Sequence, residues 1–244
     1  MNKLVITIDG PAASGKGSLS KKISEEFNFF YMETGIYYRG FASLFYQNQV
    51  NILDLPSFIS NINIIDFEKN ILHNNKKLYS TKVTKLASNL AKNKEIRSFI
   101  VKMQQDMIIT LGKKFNGIIL EGRDCGSVVA PEADLKFYLT ASLKVRAERR
   151  FNQFVKDNKD ITYKQVFSDL RERDLQDKNR KHSPLLKPKG AVVIDNSDHN
   201  FEETINIVKN IIFSRIPTLK NKIYYIESRK AWIKLFLIKT ILIT

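Results

Sequence analysis

The sequence predicts a doubly wound α/β fold, and three observations predict it. Five short apolar runs are spread over residues 4–195, helix-like segments separate them, and a glycine-bounded loop joins the first run to the first helix. Branched apolar stretches of this length, ended by polar or glycine-bearing turns, read as strands of a buried parallel sheet.

Residues 4–9, LVITID, form the first expected strand. The helix after it begins near Gly15 and runs through KGSLSKKISEEF, where Leu19, Ile23 and Phe27 recur every four residues and lay one apolar stripe against the sheet. FFYM (29–32), GIIL (117–120), LKFYL (135–139) and AVVID (191–195) supply the other strands, each followed by a helix-like segment. The second and third strands are too far apart in sequence for a simple crossover. Apolar positions alternate over 61–83 around an Asn-Asn turn, which reads as a small antiparallel insertion, and helices follow at about 84–92 and 94–112. A highly charged helical segment spans 162–182.

Composition limits the chemistry. The 244 residues are 43% hydrophobic, enough for one larger domain or a core with a small insert, and the formal net charge is +15. The lysines are scattered through every segment, which reads as a solvated compositional bias, and phosphate-bearing small molecules also suit the charge. No nucleic-acid motif or interleaved aromatic platform accompanies it, so no nucleic-acid partner is expected. Cys125 is the only cysteine, which excludes an intramolecular disulfide and suits a reducing compartment. The three histidines stand far apart with no ligand-spaced partners, so a protein-built zinc site is not expected. The N-terminus lacks the pattern of a secretory signal, and a cytoplasmic location is expected.

Four stretches carry candidate chemistry. Gly10, Pro11, Ala12, Ala13, Ser14, Gly15, Lys16, Gly17 and Ser18 form a GxxxxGK loop between a strand and a helix. Glycines there let backbone N–H groups converge on phosphate oxygens, the helix start favours negative charge, and Lys16 brings a mobile cation. Gly17 stands where the usual pattern has a Ser or Thr that reaches magnesium, and the hydroxyl comes one residue later, at Ser18. In METGIYYRG (32–40), Arg39 lies about one turn behind Thr34 and is placed for a second phosphate. Glu121, Arg123 and Asp124 lie just past a strand's carboxyl end, the edge where open α/β sheets bind ligands. Arg173, Asp177 and Arg180 sit at helical offsets of zero, four and seven, so they share one face that suits a mobile arginine lid. Neither a DxxG nor an NKxD element follows the loop at a suitable place, which argues against a GTPase switch.

Taken together, in this order and spacing, the four stretches resemble the bacterial cytidylate kinase family over roughly residues 3–216. The resemblance implies a phosphate-loop nucleoside monophosphate kinase fold with a five-stranded parallel sheet. It places an inserted monophosphate-binding region at about 61–112, a lid at about 157–188, and a kinase domain ending near 216. It also implies transfer of the γ-phosphoryl of ATP to CMP or dCMP with magnesium, by a protein expected to act as a monomer on small molecules. Thr34 and Asp177 match ribose-contacting positions; Arg39, Arg123 and Arg180 match those gripping the acceptor phosphate; Ser88, Arg97 and Asp124 match those reading cytosine. Lys16, Arg123, Arg173 and Arg180 are the expected catalytic cations, sharing the transition-state charge with magnesium. Magnesium is expected to be held by ATP phosphates and water rather than by the protein, Ser18 being the one contact left open.

The chain departs from the family's pattern in places. Tyr79 and Ser80 stand where the family commonly has an Arg, Thr34 replaces a Ser and keeps the hydroxyl, and Cys125 replaces an apolar residue, where a small buried hydrophobe is expected. Residues 217–244 run past the family's usual end with six Lys or Arg against one Glu. Their last 14 residues are too short and too charged to span a membrane. This tail reads either as an added element packed on the core, as a loose extension, or as a basic, apolar segment that lies on an acidic membrane surface or packs on a partner.

Overall fold

The computed structural model describes residues 4–73, 75–111 and 115–219. Its strands are β1 (Leu4–Asp9), β2 (Phe30–Glu33), β3 (Gly117–Gly122), β4 (Leu135–Thr140) and β5 (Val192–Asp195), all parallel in the order β2-β3-β1-β4-β5. Each lies within two residues of the apolar run that predicted it. β1 is central, with β3 on one side and β4 on the other, so the loop at its carboxyl end opens at the point where the strand order reverses.

Helices cover both faces. α1 (Lys16–Phe27) and α10 (Phe201–Arg215) pack on one face, where Leu19, Ile23 and Phe27 are fully buried with Ile6, Ile119 and Phe137. α2 (Thr34–Gln47), the short α3 (Leu55–Ser60), α4 (Ile64–His73), α5 (Asn75–Leu78), α6 (Thr81–Leu90) and α7 (Lys94–Leu111) gather on the other. Successive β3 residues alternate between the two cores, Ile118 and Leu120 in one and Ile119 in the other, as the pleat requires. A third, smaller core holds α8 (Leu143–Lys156) against α9 (Tyr163–Asn179) through Ala147, Val166 and Leu170.

Two expectations are corrected. The described part of 61–83 is helical, not antiparallel strand: α4 and α5 replace the expected hairpin. Asn63 starts α4 by accepting from the backbone N–H groups of Ile65 and Asp66, and Phe67 and Ile71, four apart, form a helical stripe. That stripe lies on α2 at Gly40, where an added Cβ would stand 2.7 Å from Ile71, so the close approach of the two helices depends on a glycine there. The second correction lies after β3. In place of a crossover helix stands a single π turn, Cys125–Val129, whose carbonyl of Cys125 accepts from Ala130 N at 2.7 Å. Cys125 itself is fully buried, the small hydrophobe expected there. Residues 220–244 lie outside the described residues, and with them all but the first three positions of the tail.

Candidate active site

The loop after β1 is held in its phosphate-ready shape by residues remote in sequence. Gly10 has φ +154°, and a Cβ on it would fall 2.0 Å from the Leu139 carbonyl oxygen, so no side chain fits. Gly15 has φ +90° and forms the N-cap of α1, leaving the first N–H groups of that helix without a side-chain cap. The Ala12 carbonyl accepts from Arg146 at 3.1 Å and the Ser14 carbonyl from Asn196 at 3.1 Å. Ser14 Oγ is buried without a hydrogen-bond partner among the described residues, a polar atom the fold leaves for something else to satisfy.

Lys16, only 5% exposed, donates to the Pro11 carbonyl at 3.0 Å and pairs with Glu121 Oε1 at 3.4 Å. Burial first, and the neighbouring Arg123 and Arg173 after it, push its ammonium down to about 8, with Glu121 opposing. Glu121, next to last in β3, also accepts from Tyr31 at 3.2 Å. It lies in the wall of two adjoining cavities. One is lined by Ala13 and by Gly15 to Leu19 together with Arg149, Arg150, Asn196 and His199.

The other cavity brings the expected acceptor residues together. Thr34, Arg39, Ser88, Arg97, Arg123, Asp124, Asp177 and Arg180, drawn from α2, α6, α7, the end of β3 and α9, all line it, and so does Arg173. Arg180 is not on the helix, as its spacing suggested: α9 ends at Asn179 and Arg180 caps it in an extended conformation, still facing the cavity.

Every arginine here but Arg173 is met by a carboxylate, and most of the pairs link separate elements. Arg123 bonds Asp177 at 2.9 Å, Arg39 pairs with Glu33 at 2.9 Å, and Arg97 pairs with Asp124. Arg180 stands 3.8 Å from both Asp124 and Asp177. Burial alone would raise the Asp177 carboxyl, but Arg123, Arg173 and Arg180 hold it below its ordinary value. Arg173 is different: its Nε is buried with no hydrogen-bond partner among the described residues. Burial and then Arg123 push its guanidinium down to about 10, still cationic at neutral pH. A buried cation in that state favours an incoming anion.

Three residues that shape the site are not among the candidates read from the sequence. Asp9, at the end of β1, accepts from the N–H groups of Cys125 at 2.8 Å and Gly126 at 2.7 Å, tying the loop after β3 to the centre of the sheet. Burial raises its carboxyl to about 6 against the pull of those two bonds. Arg146 joins α8, the phosphate loop and Asp174 of α9. Glu33 anchors Arg39. Asp9 and Glu33 each end a strand, a position that could have marked both, whereas nothing in its position marks Arg146.

A parallel sheet with this strand order, a glycine-bounded loop before a helix, and a cation-lined cavity beside it define a phosphate-loop kinase. The sequence comparisons narrow the class. The family model for cytidylate kinase matches residues 6–214, and the chain belongs to the cytidylate kinase family. A cytidylate kinase of Bartonella bacilliformis is 38% identical over 83% of this chain and 91% of its own length. One of Fusobacterium nucleatum is 36% identical over 87% and 98%, and one of Clostridium tetani 33% identical over 91% and 99%. Among solved structures, a shikimate kinase from Bacteroides thetaiotaomicron aligns at a TM-score of 0.44 and 12% identity, over 86% of this chain and 96% of that one, a likeness too loose to bear on activity.

Proposed function

We propose that this chain transfers the γ-phosphoryl group of ATP to CMP or dCMP, giving ADP and CDP or dCDP. The observation that carries the reading is the composition of one cavity wall. Arg39, Arg123, Arg173 and Arg180 supply charge for an acceptor phosphate, Ser88, Arg97 and Asp124 supply a mixed donor and acceptor edge for a base, and the Lys16 loop adjoins through Glu121. Cytosine offers an amino donor beside a ring nitrogen and a carbonyl. The Asp124 carboxylate suits the first, and Arg97 and Ser88 suit the others.

In the reaction an oxygen of the acceptor phosphate forms a bond to Pγ as the bond from Pγ to the β,γ-bridging oxygen breaks, its electron pair leaving with ADP. The acceptor is already anionic near neutral pH, its second pKa being about 6, so no residue need remove a proton. The work of the chain is placement and charge: Lys16 at the donor phosphates, Arg123, Arg173 and Arg180 where charge develops, Thr34 and Asp177 at the sugar. Ser18, exposed at the start of α1, and the Glu121 carboxylate are hard oxygen donors lining the loop-side cavity, a donor set that fits magnesium carried by the nucleotide. When bound, magnesium would neutralise phosphate charge. A single buried cysteine suits a reducing cytoplasm, no described helix is long and apolar enough to cross a membrane, and action as a monomer completes the reading.

Measuring ADP release with CMP, dCMP, UMP, AMP and GMP as acceptors tests it. CMP or dCMP should exceed AMP and GMP in kcat/KM by at least about tenfold, a floor well below what a site built to hydrogen-bond its substrate can supply. Equal turnover of AMP or GMP overturns the assignment.

A further inference from the structure

Tyr79 is the first of two residues between α5 and α6, and its backbone is held on both sides: Leu78 before it is buried in the core, and the Ser80 side chain after it caps α6 by accepting from Val83 N. From that fixed point its ring reaches α2. The guanidinium carbon of Arg39 lies 4.6 Å from the ring centroid, over the face, while the Tyr79 hydroxyl donates to Glu33 Oε2. Glu33 holds Arg39 through its other oxygen, at 2.9 Å. The three side chains therefore close a triangle in which Arg39 is gripped twice, by the carboxylate in its plane and by the ring across its face. A Cβ at Gly35 would stand 3.1 Å from Arg39 Nη1, so backbone confines the cation on a further side. Arg39 and Glu33 line the acceptor cavity, and Arg39 Nε is buried there without a hydrogen-bond partner among the described residues.

We infer that Tyr79 is a positioning residue for the acceptor phosphate, setting Arg39 in a fixed pose from which it meets the phosphate group of the incoming nucleotide. The inference rests on the acceptor-site reading given above. Burial and the bond to Glu33 raise the Tyr79 hydroxyl, so it remains a donor throughout the working pH range. Burial and Glu121 in turn push the Glu33 carboxyl up, and Tyr79 and Arg39 pull it back, so the carboxylate that anchors the arginine depends on the tyrosine. A tyrosine does this without adding a further positive charge to a cavity wall that already holds five arginines.

The test compares Tyr79→Ala, Tyr79→Phe and Arg39→Ala in steady-state kinetics, with cytidine as a competitive inhibitor that lacks the phosphate. Tyr79→Ala should raise the KM for CMP by about three- to thirtyfold, the span of a cation–π contact from exposed to desolvated, with the KM for ATP and the Ki of cytidine unchanged. Tyr79→Phe keeps the ring and should show a smaller rise. If Arg39→Ala raises the KM for CMP while both Tyr79 variants match the parent, the inference fails and the acceptor reading stands. If Arg39→Ala also leaves it unchanged, the acceptor reading itself fails. A Tyr79→Ala loss shared equally by cytidine would show that the residue shapes the pocket without positioning Arg39, and would also overturn the inference.

Discussion

Lys16 carries its charge against its surroundings. The unfolded chain would hold that proton to 10.5, whereas burial and two arginine neighbours release it near 8 in the folded protein. Between those values the folded state binds fewer protons than the unfolded one, so the contribution of this group to stability rises with pH across that window. Below it the ammonium is a net cost to the unliganded fold. A polyphosphate reverses the balance by favouring the charged form, so binding should draw a proton in. We expect calorimetry of a non-hydrolysable ATP analogue at pH 8.5, in buffers of differing ionisation enthalpy, to show uptake of roughly half a proton or more, since a group with a pKa near 8 is then mostly neutral. Uptake should vanish in Lys16→Met. Zero uptake in the parent would remove Lys16 from contact with the phosphates.

The elements that carry the site are joined by few but buried bonds, and Arg146 is the plainest case. Its guanidinium lies within α8 and donates to the carbonyl of Ala141 at 2.9 Å, to that of Ala12 in the phosphate loop at 3.1 Å, and to Asp174 of α9 at 2.7 Å. Asp174 is the neighbour of Arg173, so this bridge fixes where α9 presents its cation to the loop. Removing the arginine strands a buried carboxylate, and Arg146→Met should cost about 3 kcal/mol in urea unfolding, the usual penalty for breaking such a pair. The double variant with Asp174→Leu should lose less than the sum of the singles by about 1 kcal/mol or more, and additivity would deny the coupling. Sequence could not show the bridge: an arginine among the charges of α8 reads as solvated, and its Ala12 partner stands 134 positions away. The strands and α1 were legible because their periodicity is set by burial within a single element. Residues 61–83 were misread because a short apolar run carries periods of two and of four at once, and only the distant Gly40 makes room for the helix. The residues expected at the acceptor were legible as a family pattern, and the structure brings them to one cavity wall, whereas Asp9, Glu33 and Arg146, which hold the candidate site together, act through contacts that no local pattern encodes.

Across the whole molecule, cations are brought from α1, α2, α7, α9 and the turn after β3 to one crevice at the carboxyl edge of the sheet, and the fold bears that concentration before any nucleotide arrives. Glu33, Glu121, Asp124 and Asp177 offset most of it pair by pair. Arg173 has no such offset on its buried Nε, and its depressed guanidinium reports the cost of burying it, and then of holding it beside Arg123. On the proposed reading, function and stability therefore pull apart at this residue. Replacing it with a side chain of similar length and no charge should stabilise the unliganded protein while removing charge from the transition state. We expect Arg173→Met to raise the stability of the unliganded protein by about 1 kcal/mol, equivalent to roughly 2–4 °C in the melting midpoint of a chain of this size. The same variant should lower kcat by about a thousandfold or more, the usual effect of removing an arginine that meets the transferring phosphoryl group. Calorimetric melting and single-turnover transfer on the same preparation measure both. A variant that melts lower and turns over normally would show that Arg173 serves the fold and not the reaction, because a structural arginine loses stability on removal and a catalytic one loses rate.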